Sequence, residues 1–394
     1  MNAAVRGSYD PRFTALADLL HAHVGDGIER GASLCVIQDG EVLVDIWDGW
    51  SDVEQTATWQ RDTITPVWSI TKVMVNLAAL VLIDRGELDP DSPVADYWPE
   101  FGAAGKQGVT VAQILGHTSG VSGWAQPVTV DDLYDWSRST TMPAAQEPWW
   151  EPGTASGYHL LNQGHLVGEV IRRITGVTVG EFFAKEIAGP LGADFHIGLR
   201  PDDDKRVSPV SPPRQLDLDL TAIDPAGIAM RTLTGPFVNA REANTERWRR
   251  AEIPAANGHG NARSIARVQS LISHGGEVDG VRLLSPATIE RIFDVQASGI
   301  DLVLGVQSTF GLGWALPEPA TMPSVAAGRR CYWGGLGGSI VINDLDNRLT
   351  IAYAMNRMLF EYAPGTRLTR PCGDSRSDSY VDAIMAALTI ETAS

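Results

Sequence analysis

The pattern of apolar residues divides this 394-residue chain into strand-forming ends and a helical middle. Near the N-terminus, segments 32–38 and 41–47 have strand character and are joined by Asp39-Gly40, a dipeptide typical of two-residue hairpin turns. Further strands are predicted near the C-terminus, over residues 311–316, 339–343 and 349–355. Strands at both ends of a chain can form one sheet only if the two ends lie side by side. The helical middle of the chain would then be inserted into the domain that the two ends form.

The middle of the chain follows the helical period. Apolar spacing predicts helices over residues 11–24, 73–83, 160–175, 179–187, 262–273, 286–293 and 378–388. We therefore predict an α+β fold with one α/β domain built from residues 1–70 and 300–394. A mostly helical domain, residues 71–299, is inserted in it and contains an irregular excursion at 200–260. A site between the two would use widely separated segments.

The charge and the cysteine content of the chain limit which partners, compartments and cofactors are expected. The net charge of −17 and the pI near 4.8 argue against nucleic acid and anionic membranes as partners. The longest apolar run is too short to cross a bilayer, and residues 1–26 contain no apolar segment of the kind found in secretory signals. Three widely spaced cysteines suit a reducing compartment and give no metal-binding pattern. We expect a cytoplasmic protein without a metal or cofactor.

Residues 69–72 read Ser-Ile-Thr-Lys at the head of an apolar helix. Residues three apart share a helix face, so the Lys72 amine can reach the Ser69 hydroxyl. Serine attacks a carbonyl carbon when a nearby base takes its proton, and lysine becomes such a base when its pKa is lowered by burial. The helix N-terminus also favours an oxyanion at the serine. The spacing indicates serine acyl transfer, although a serine three residues before one of only four lysines also arises by chance.

Two further segments are candidates for the same site. Tyr158 lies between a Pro-Gly-Thr turn and an amphipathic helix, where a lysine ammonium would help its phenol lose a proton. A tyrosine that only packs fits the same pattern. Residues 332–339 read Tyr-Trp-Gly-Gly-Leu-Gly-Gly-Ser before a predicted strand, so a backbone N–H there could be an oxyanion donor. A glycine-rich hairpin without a ligand is the alternative.

Together these elements resemble the serine β-lactamase and penicillin-binding-protein superfamily, and most closely the family VIII carboxylesterases. The resemblance runs from about residue 10 to 390 and includes Gly-His-Thr-Ser-Gly at 116–120. It implies a β-lactamase/transpeptidase-like fold, with an antiparallel sheet flanked by helices and an inserted helical domain. It also implies that Ser69 is the nucleophile and that Lys72 and Tyr158 form the general-base pair. The oxyanion hole would be the N–H groups of Ser69 and Leu336.

The resemblance also implies which residues contact the substrate. Substrate contacts are expected from Trp333, Gly334, Gly335, His159 and Leu160. Trp333 stands where lactamases have lysine, and Leu160 where class C enzymes have asparagine. The first change removes a cation for a substrate carboxylate and the second a partner for an acylamino group. A neutral ester needs neither group, and Trp333 offers it an apolar wall.

Several other functions remain open. The chain has no Gly-x-Ser-x-Gly and no His-Glu-x-x-His, which disfavours an α/β-hydrolase and a zinc hydrolase. A β-lactamase or D-Ala-D-Ala peptidase, an amidase, an acyltransferase and a non-catalytic ligand-binding protein on the same fold are the alternatives. We predict a serine carboxylesterase that hydrolyses small, short-chain esters through an acyl-enzyme.

Overall fold

A computed structural model of the chain describes residues 5–213, 223–319, 322–362, 370 and 372–389. Its strands are β1 (Arg6–Tyr9), β2 (Gly31–Gln38), β3 (Glu41–Gly49), β4 (Thr65–Pro66), β5 (His259–Gly260), β6 (Glu277–Val278), β7 (Val281–Arg282), β8 (Ala297–Ile300), β9 (Gln307–Phe310), β10 (Arg330–Gly334), β11 (Ile340–Asp344) and β12 (Leu349–Met355). Its α-helices are α1 (Thr14–Gly25), α2 (Ile70–Asp84), α3 (Val94–Tyr97), α4 (Val111–Leu115), α5 (Val130–Leu133), α6 (Trp136–Ala145), α7 (Asn162–Thr175), α8 (Val179–Phe183), α9 (Gly189–Leu191), α10 (Ile228–Thr234), α11 (Glu246–Arg250), α12 (Ala262–Ser273), α13 (Pro286–Glu290) and α14 (Ser375–Thr389).

The main sheet joins the two ends of the chain. Its six strands run in the order β1-β3-β2-β12-β11-β10, and every neighbouring pair is antiparallel. The β2–β3 hairpin turns at Asp39 and Gly40, whose φ angles of 50° and 85° are the left-handed values that a tight hairpin requires. The antiparallel sheet flanked by helices confirms the predicted α+β fold class.

Helices cover both faces of the sheet because side chains alternate along each strand. On one face, Thr350 of β12 bonds to Ser273 of α12 through their hydroxyls. On the other face, Tyr353 of β12 packs against Tyr380 of α14, with ring centroids 5.2 Å apart. Although α12 lies within the predicted helical domain, it packs against β2, β11 and β12. The division into two domains itself stays a prediction.

The helical region surrounds α2, the helix that begins just after Ser69. All residues of α2 from Ile70 to Leu82 are buried, including the polar Lys72 and Asn76. Helices α7 and α8 pack against α2, and α4 and α6 pack against α7. A helix that is apolar on nearly all sides must be enclosed in this way. No helix among the described residues is both long and apolar enough to span a membrane.

Several predicted boundaries differ from the structure. The predicted strand at 311–316 is wrong, because these residues form a bend with Gly313 at a φ of 89°, and the strand is β9 just before them. The glycine-rich segment 332–339 was predicted only to precede a strand, but its first three residues belong to β10, which spans residues 330–334. The excursion at 200–260 contains α10 and α11, and residues 214–222 of it lie outside the described part of the chain.

Candidate active site

Ser69 lies at the junction between a strained turn and the first residue of α2. The preceding residue, Trp68, has a φ of 50°, a value that a bulky side chain adopts only where the surrounding structure enforces it. The indole of Trp68 is buried against that of Trp248, with centroids 5.5 Å apart. Ser69 is only half-buried, whereas the residues on either side of it are buried. The turn therefore presents the Ser69 hydroxyl at the head of the helix.

The Lys72 amine is fully buried beneath this hydroxyl. Its Nζ lies 3.1 Å from Ser69 Oγ, 2.7 Å from the carbonyl oxygen of Leu160 and 3.1 Å from that of Ala255. Burial lowers the pKa of Lys72 well below the ordinary value, since no carboxylate pairs with it among the described residues. Carbonyl oxygens only accept hydrogen bonds, so they take the two N–H groups of the neutral amine. The remaining lone pair faces the Ser69 hydroxyl.

The Tyr158 hydroxyl completes a directed chain of hydrogen bonds. The Ser69 side chain and the Trp333 indole lie close enough to the Tyr158 hydroxyl to affect its pKa through hydrogen bonding. An indole N–H only donates, so Trp333 can give a hydrogen bond to the phenol oxygen, and the phenol proton is then free to point to Ser69. Burial raises the pKa of Tyr158 well above the ordinary value, although these two hydrogen bonds partly oppose the shift. The resting tyrosine is therefore a neutral phenol, and the help that a lysine ammonium would give to its ionisation stays a prediction.

The glycine-rich segment after β10 brings a second backbone N–H group close to Ser69. Gly335 lies against the turn that carries the serine: a Cβ on this residue would be 2.2 Å from the Val67 carbonyl oxygen. The Gly335 N–H donates to the Ser339 carbonyl at 2.8 Å and closes the turn. The N–H groups of Ser69 and Leu336 donate to no acceptor in the described part of the chain. Both are available to an oxyanion, as the prediction requires.

The residues predicted to contact substrate lie at different depths. Trp333 is 2% exposed and stacks on His117 at an interplanar angle of 25°. A pocket beside Tyr158 and Trp333 is mostly apolar. Its lining residues are Tyr158, Leu304, Ser308, Thr309, Phe310, Ala315, Tyr332, Trp333 and Cys372. Gly334 packs on Cys372, where a Cβ would lie 2.9 Å from the Cys372 backbone, so Gly334 lets the two segments approach closely.

His159 and Leu160 support the site from behind. The His159 ring is fully buried and bonds to the Ser119 hydroxyl and the Gly157 carbonyl, each at 2.6 Å. Its backbone N–H donates to His117 Nδ1 at 3.1 Å. Leu160 contributes the carbonyl oxygen that accepts from the lysine amine. The structure thus gives both residues contacts that fix the site, and their predicted contact with substrate stays a prediction.

Sequence reasoning missed three participants. His117 was interpreted as a hydrogen-bonding structural residue of the 116–120 segment, but its place in the site was not predicted: its ring packs against Tyr158 and Trp333. Ala255 contributes its backbone carbonyl oxygen, and no sequence pattern predicts such a contribution. Asp301 accepts a hydrogen bond from the Tyr158 N–H at 3.0 Å across more than a hundred residues of sequence. Such long-range backbone contacts have no local periodicity from which to predict them.

Comparison with known proteins matches the chain over nearly its whole length. The family profile described as Beta-lactamase matches residues 16–370. The esterase/beta-lactamase LipL of Mycobacterium tuberculosis is 34% identical over 370 residues, which cover 90% of this chain and 83% of LipL. The profile match includes Ser69, Lys72, Tyr158 and the glycine-rich segment 332–339.

Two solved structures have similar backbones. A family VIII carboxylesterase is 37% identical, superimposes with a TM-score of 0.89, and the match covers 98% of this chain and 100% of that one. A penicillin-binding-protein homologue from Caulobacter crescentus is 33% identical with a TM-score of 0.87, at the same two coverages. The similarity therefore extends over the sheet, the helical region and the segments between them.

Proposed function

The chain belongs to the beta-lactamase family, and on that premise we propose that it is a serine hydrolase that cleaves carboxylic esters. Relatives named as esterase and carboxylesterase support ester hydrolysis. The observation that carries the proposal is the setting of the Lys72 amine. Two carbonyl oxygens occupy its N–H groups, so the lone pair faces Ser69 Oγ at 3.1 Å. A buried lysine in this arrangement is a base aimed at one hydroxyl.

Acylation follows from the direction of the hydrogen bonds. Ser69 Oγ attacks the ester carbonyl carbon while its proton moves to Lys72 Nζ, and the oxyanion is held by the N–H groups of Ser69 and Leu336. The bond to the alcohol oxygen then breaks, and the Tyr158 phenol gives its proton to the leaving alkoxide. An acyl-enzyme remains, with an ammonium at Lys72 and a phenolate at Tyr158. The ammonium lies 4.8 Å from the centre of the tyrosine ring and stabilises the phenolate.

Deacylation reverses these proton positions. The Tyr158 phenolate takes a proton from water, whose oxygen attacks the acyl carbon. The tetrahedral intermediate collapses, and the Lys72 ammonium returns its proton to Ser69 Oγ as the carboxylic acid leaves. Every group regains its resting protonation state. The predicted roles of lysine as base and of tyrosine as activator of water thus belong to successive steps.

The site favours neutral esters over carboxylate-bearing substrates. Trp333 is a buried indole bonded to Tyr158, so it supplies no cation for the carboxylate of a β-lactam or a peptide C-terminus. We propose short acyl chains, because the bulky side chains of Leu304, Phe310 and Tyr332 line the pocket beside Tyr158 and Trp333. The cytoplasmic location stays a prediction. Hydrolysis of β-lactams is the second candidate, since LipL carries both activities in its name.

The test compares p-nitrophenyl butyrate with a chromogenic cephalosporin. We expect kcat/KM for the ester to exceed that for the cephalosporin by at least ~100-fold, a difference of about 2.7 kcal/mol in transition-state binding. Ser69→Ala, Lys72→Ala and Tyr158→Phe should each lower ester turnover by about 10²–10⁴-fold, the usual contribution of a proton-transfer group or nucleophile.

Lys106 provides the matched control for Lys72. It is equally buried, bonds to two backbone carbonyls and has a pKa lowered by burial to about 8, but it makes no contact with Ser69. Lys106→Ala should keep kcat within about threefold of wild type in any fraction that folds. Turnover of the cephalosporin equal to that of the ester would replace this proposal with the lactamase one.

A further inference from the structure

Asp301 is a fully buried carboxylate on the loop between β8 and β9. One of its oxygens, Oδ1, accepts from three backbone N–H groups: those of Tyr158 at 3.0 Å and of Val303 and Leu304 at 2.9 Å each. The other oxygen, Oδ2, is buried and has no hydrogen-bond partner in the described part of the chain. No arginine, lysine or histidine there forms an ion pair with Asp301. A buried charge without a counter-ion is costly, so the side chain calls for an explanation.

The contacts of Asp301 unite its own loop with the segment that carries the tyrosine. Within the loop, the Asp301 N–H donates to the Val306 carbonyl at 3.0 Å, and the Gly305 N–H donates to the Asp301 carbonyl at 2.9 Å. The Leu302 N–H donates to the Ser156 carbonyl at 2.8 Å. Two hydrogen bonds, on residues 156 and 158, therefore dock a closed loop onto the chain just before and at Tyr158.

The opposite side of the same segment is fixed by His117. Its carbonyl accepts from the Gly157 N–H at 3.0 Å, and its ring lies 5.0 Å from the Tyr158 ring. The backbone around the tyrosine is thus held from two directions. A charged acceptor makes stronger hydrogen bonds to N–H groups than a neutral one. A carboxylate is therefore well suited to hold this backbone on the side away from His117.

We propose that Asp301 is a positioning residue for ester hydrolysis: its carboxylate clamps the Tyr158 backbone so that the phenol points at Ser69. This inference rests on the proposed function, because it assigns Asp301 an effect only through the proton-transfer role of Tyr158. A displacement of about 1 Å at a reacting group is enough to cost two orders of magnitude in rate. Asp301 itself touches neither the hydroxyl of Ser69 nor the lysine amine in the described contacts.

The experiment is a double-mutant cycle with two substitutions at position 301. Asp301→Asn keeps the acceptor oxygen, and Asp301→Ala removes it. We expect the asparagine variant to keep kcat for p-nitrophenyl acetate within about threefold of wild type, and the alanine variant to lose at least ~10-fold in kcat with KM little changed. In a Tyr158→Phe background, Asp301→Ala should cost less than about threefold further, because the group it positions is already absent.

Leu302→Ala is the matched control, since its side chain is 37% exposed and its docking hydrogen bond is made by the backbone. It should leave kcat unchanged. An Asp301→Ala variant with wild-type kcat, or one that loses the same factor in both backgrounds, overturns the proposal. If Asp301→Ala does not fold, Asp301→Ser takes its place in the cycle, and failure of both to fold assigns Asp301 to folding instead. Ester turnover by wild type and covalent labelling of Ser69 are measured first. If either is absent, the proposed function fails independently of the role of Asp301.

Discussion

The Lys72 amine shows how one side chain acquires a function from its surroundings. A lysine at the surface is an ammonium at neutral pH and cannot accept a proton from serine. At position 72 the side chain is fully buried, and burial is the largest cause of its lowered pKa. Two carbonyl oxygens satisfy its N–H groups, so the neutral amine leaves no buried donor unpaired. The proposed role of Lys72 as a base therefore depends on where the chain places this side chain.

This account predicts a pH dependence of stability. The ordinary pKa of 10.5 in the unfolded chain lies above the lowered folded value, so between the two the unfolded state binds one proton more. The wild-type free energy of unfolding should therefore rise with pH through this window, by about 1.4 kcal/mol per pH unit from this group alone. In Lys72→Met that contribution disappears.

Urea unfolding at pH 7, 8 and 9 measures the effect. The difference in free energy of unfolding between wild type and the variant should grow in favour of wild type as the pH rises. The contribution of Lys106 is the same in both proteins and cancels in this difference. Parallel pH profiles for wild type and Lys72→Met would show that residue 72 titrates normally in the folded protein.

At the scale of elements, the site depends on close approach between the turn before α2 and the segment after β10. Gly335 allows this approach, because a Cβ there would overlap the Val67 carbonyl oxygen. The turn is closed by the Gly335 N–H, which donates to the Ser339 carbonyl at 2.8 Å, and Leu336, the proposed second oxyanion donor, follows directly. A side chain at this position would push the two elements apart and separate the two oxyanion donors.

Gly335→Ala should therefore impair both stability and catalysis. Forcing a methyl group into this contact should lower the free energy of unfolding by ~1–3 kcal/mol. Displacing one oxyanion donor should lower kcat by about 10²-fold. Gly108→Ala is the control, since a Cβ at Gly108 meets nothing within 4 Å. Steady-state kinetics and thermal melts of both variants decide the matter, and a Gly335→Ala enzyme with wild-type kcat would contradict the role given to this contact.

At the scale of the whole molecule, a network of buried charged side chains supports the glycine-rich segment after β10. Arg376 of α14 is fully buried and bonds to Glu29 at 2.9 Å, to Asp374 at 2.6 Å and to the Gly337 carbonyl at 2.9 Å. Burial raises the pKa of Glu29, and the charge of Arg376 and the hydroxyl of Tyr353 oppose this shift. Glu29 precedes β2, so the network ties the N-terminal part of the sheet to the C-terminal helix and to the segment after β10.

Much of the fold follows from local sequence patterns. The Asp39-Gly40 hairpin and the boundaries of α12 and β12 are confirmed by the structure. The predicted strand at 311–316 is wrong because its apolar residues face the core from a bend, where Trp314 is fully buried. Strand β10 was missed because its glycine-rich end suggested a turn, whereas residues 330–334 pair with β11 as the first strand of a hairpin.

The candidate site, like the fold, could be predicted from the sequence only in part. The Ser69 to Lys72 spacing is one helical turn, so sequence alone predicts their contact. Tyr158 was found through its turn and its resemblance to a family, but the direction of its hydrogen bonds required coordinates. The Ala255 carbonyl and the Asp301 carboxylate reach the site by long-range packing, which neither composition nor periodicity records.

The central claim is that neutral Lys72 makes Ser69 nucleophilic. The most direct measurement is the rate at which a fluorophosphonate forms a mass adduct on the peptide containing residue 69, in wild type, Lys72→Arg and the control Lys106→Arg. We predict an adduct on Ser69 that forms at least ~100-fold more slowly in Lys72→Arg, since a guanidinium stays charged and cannot accept the proton, and at nearly the wild-type rate in Lys106→Arg. An adduct on another residue, or equal rates in wild type and Lys72→Arg, would contradict the claim.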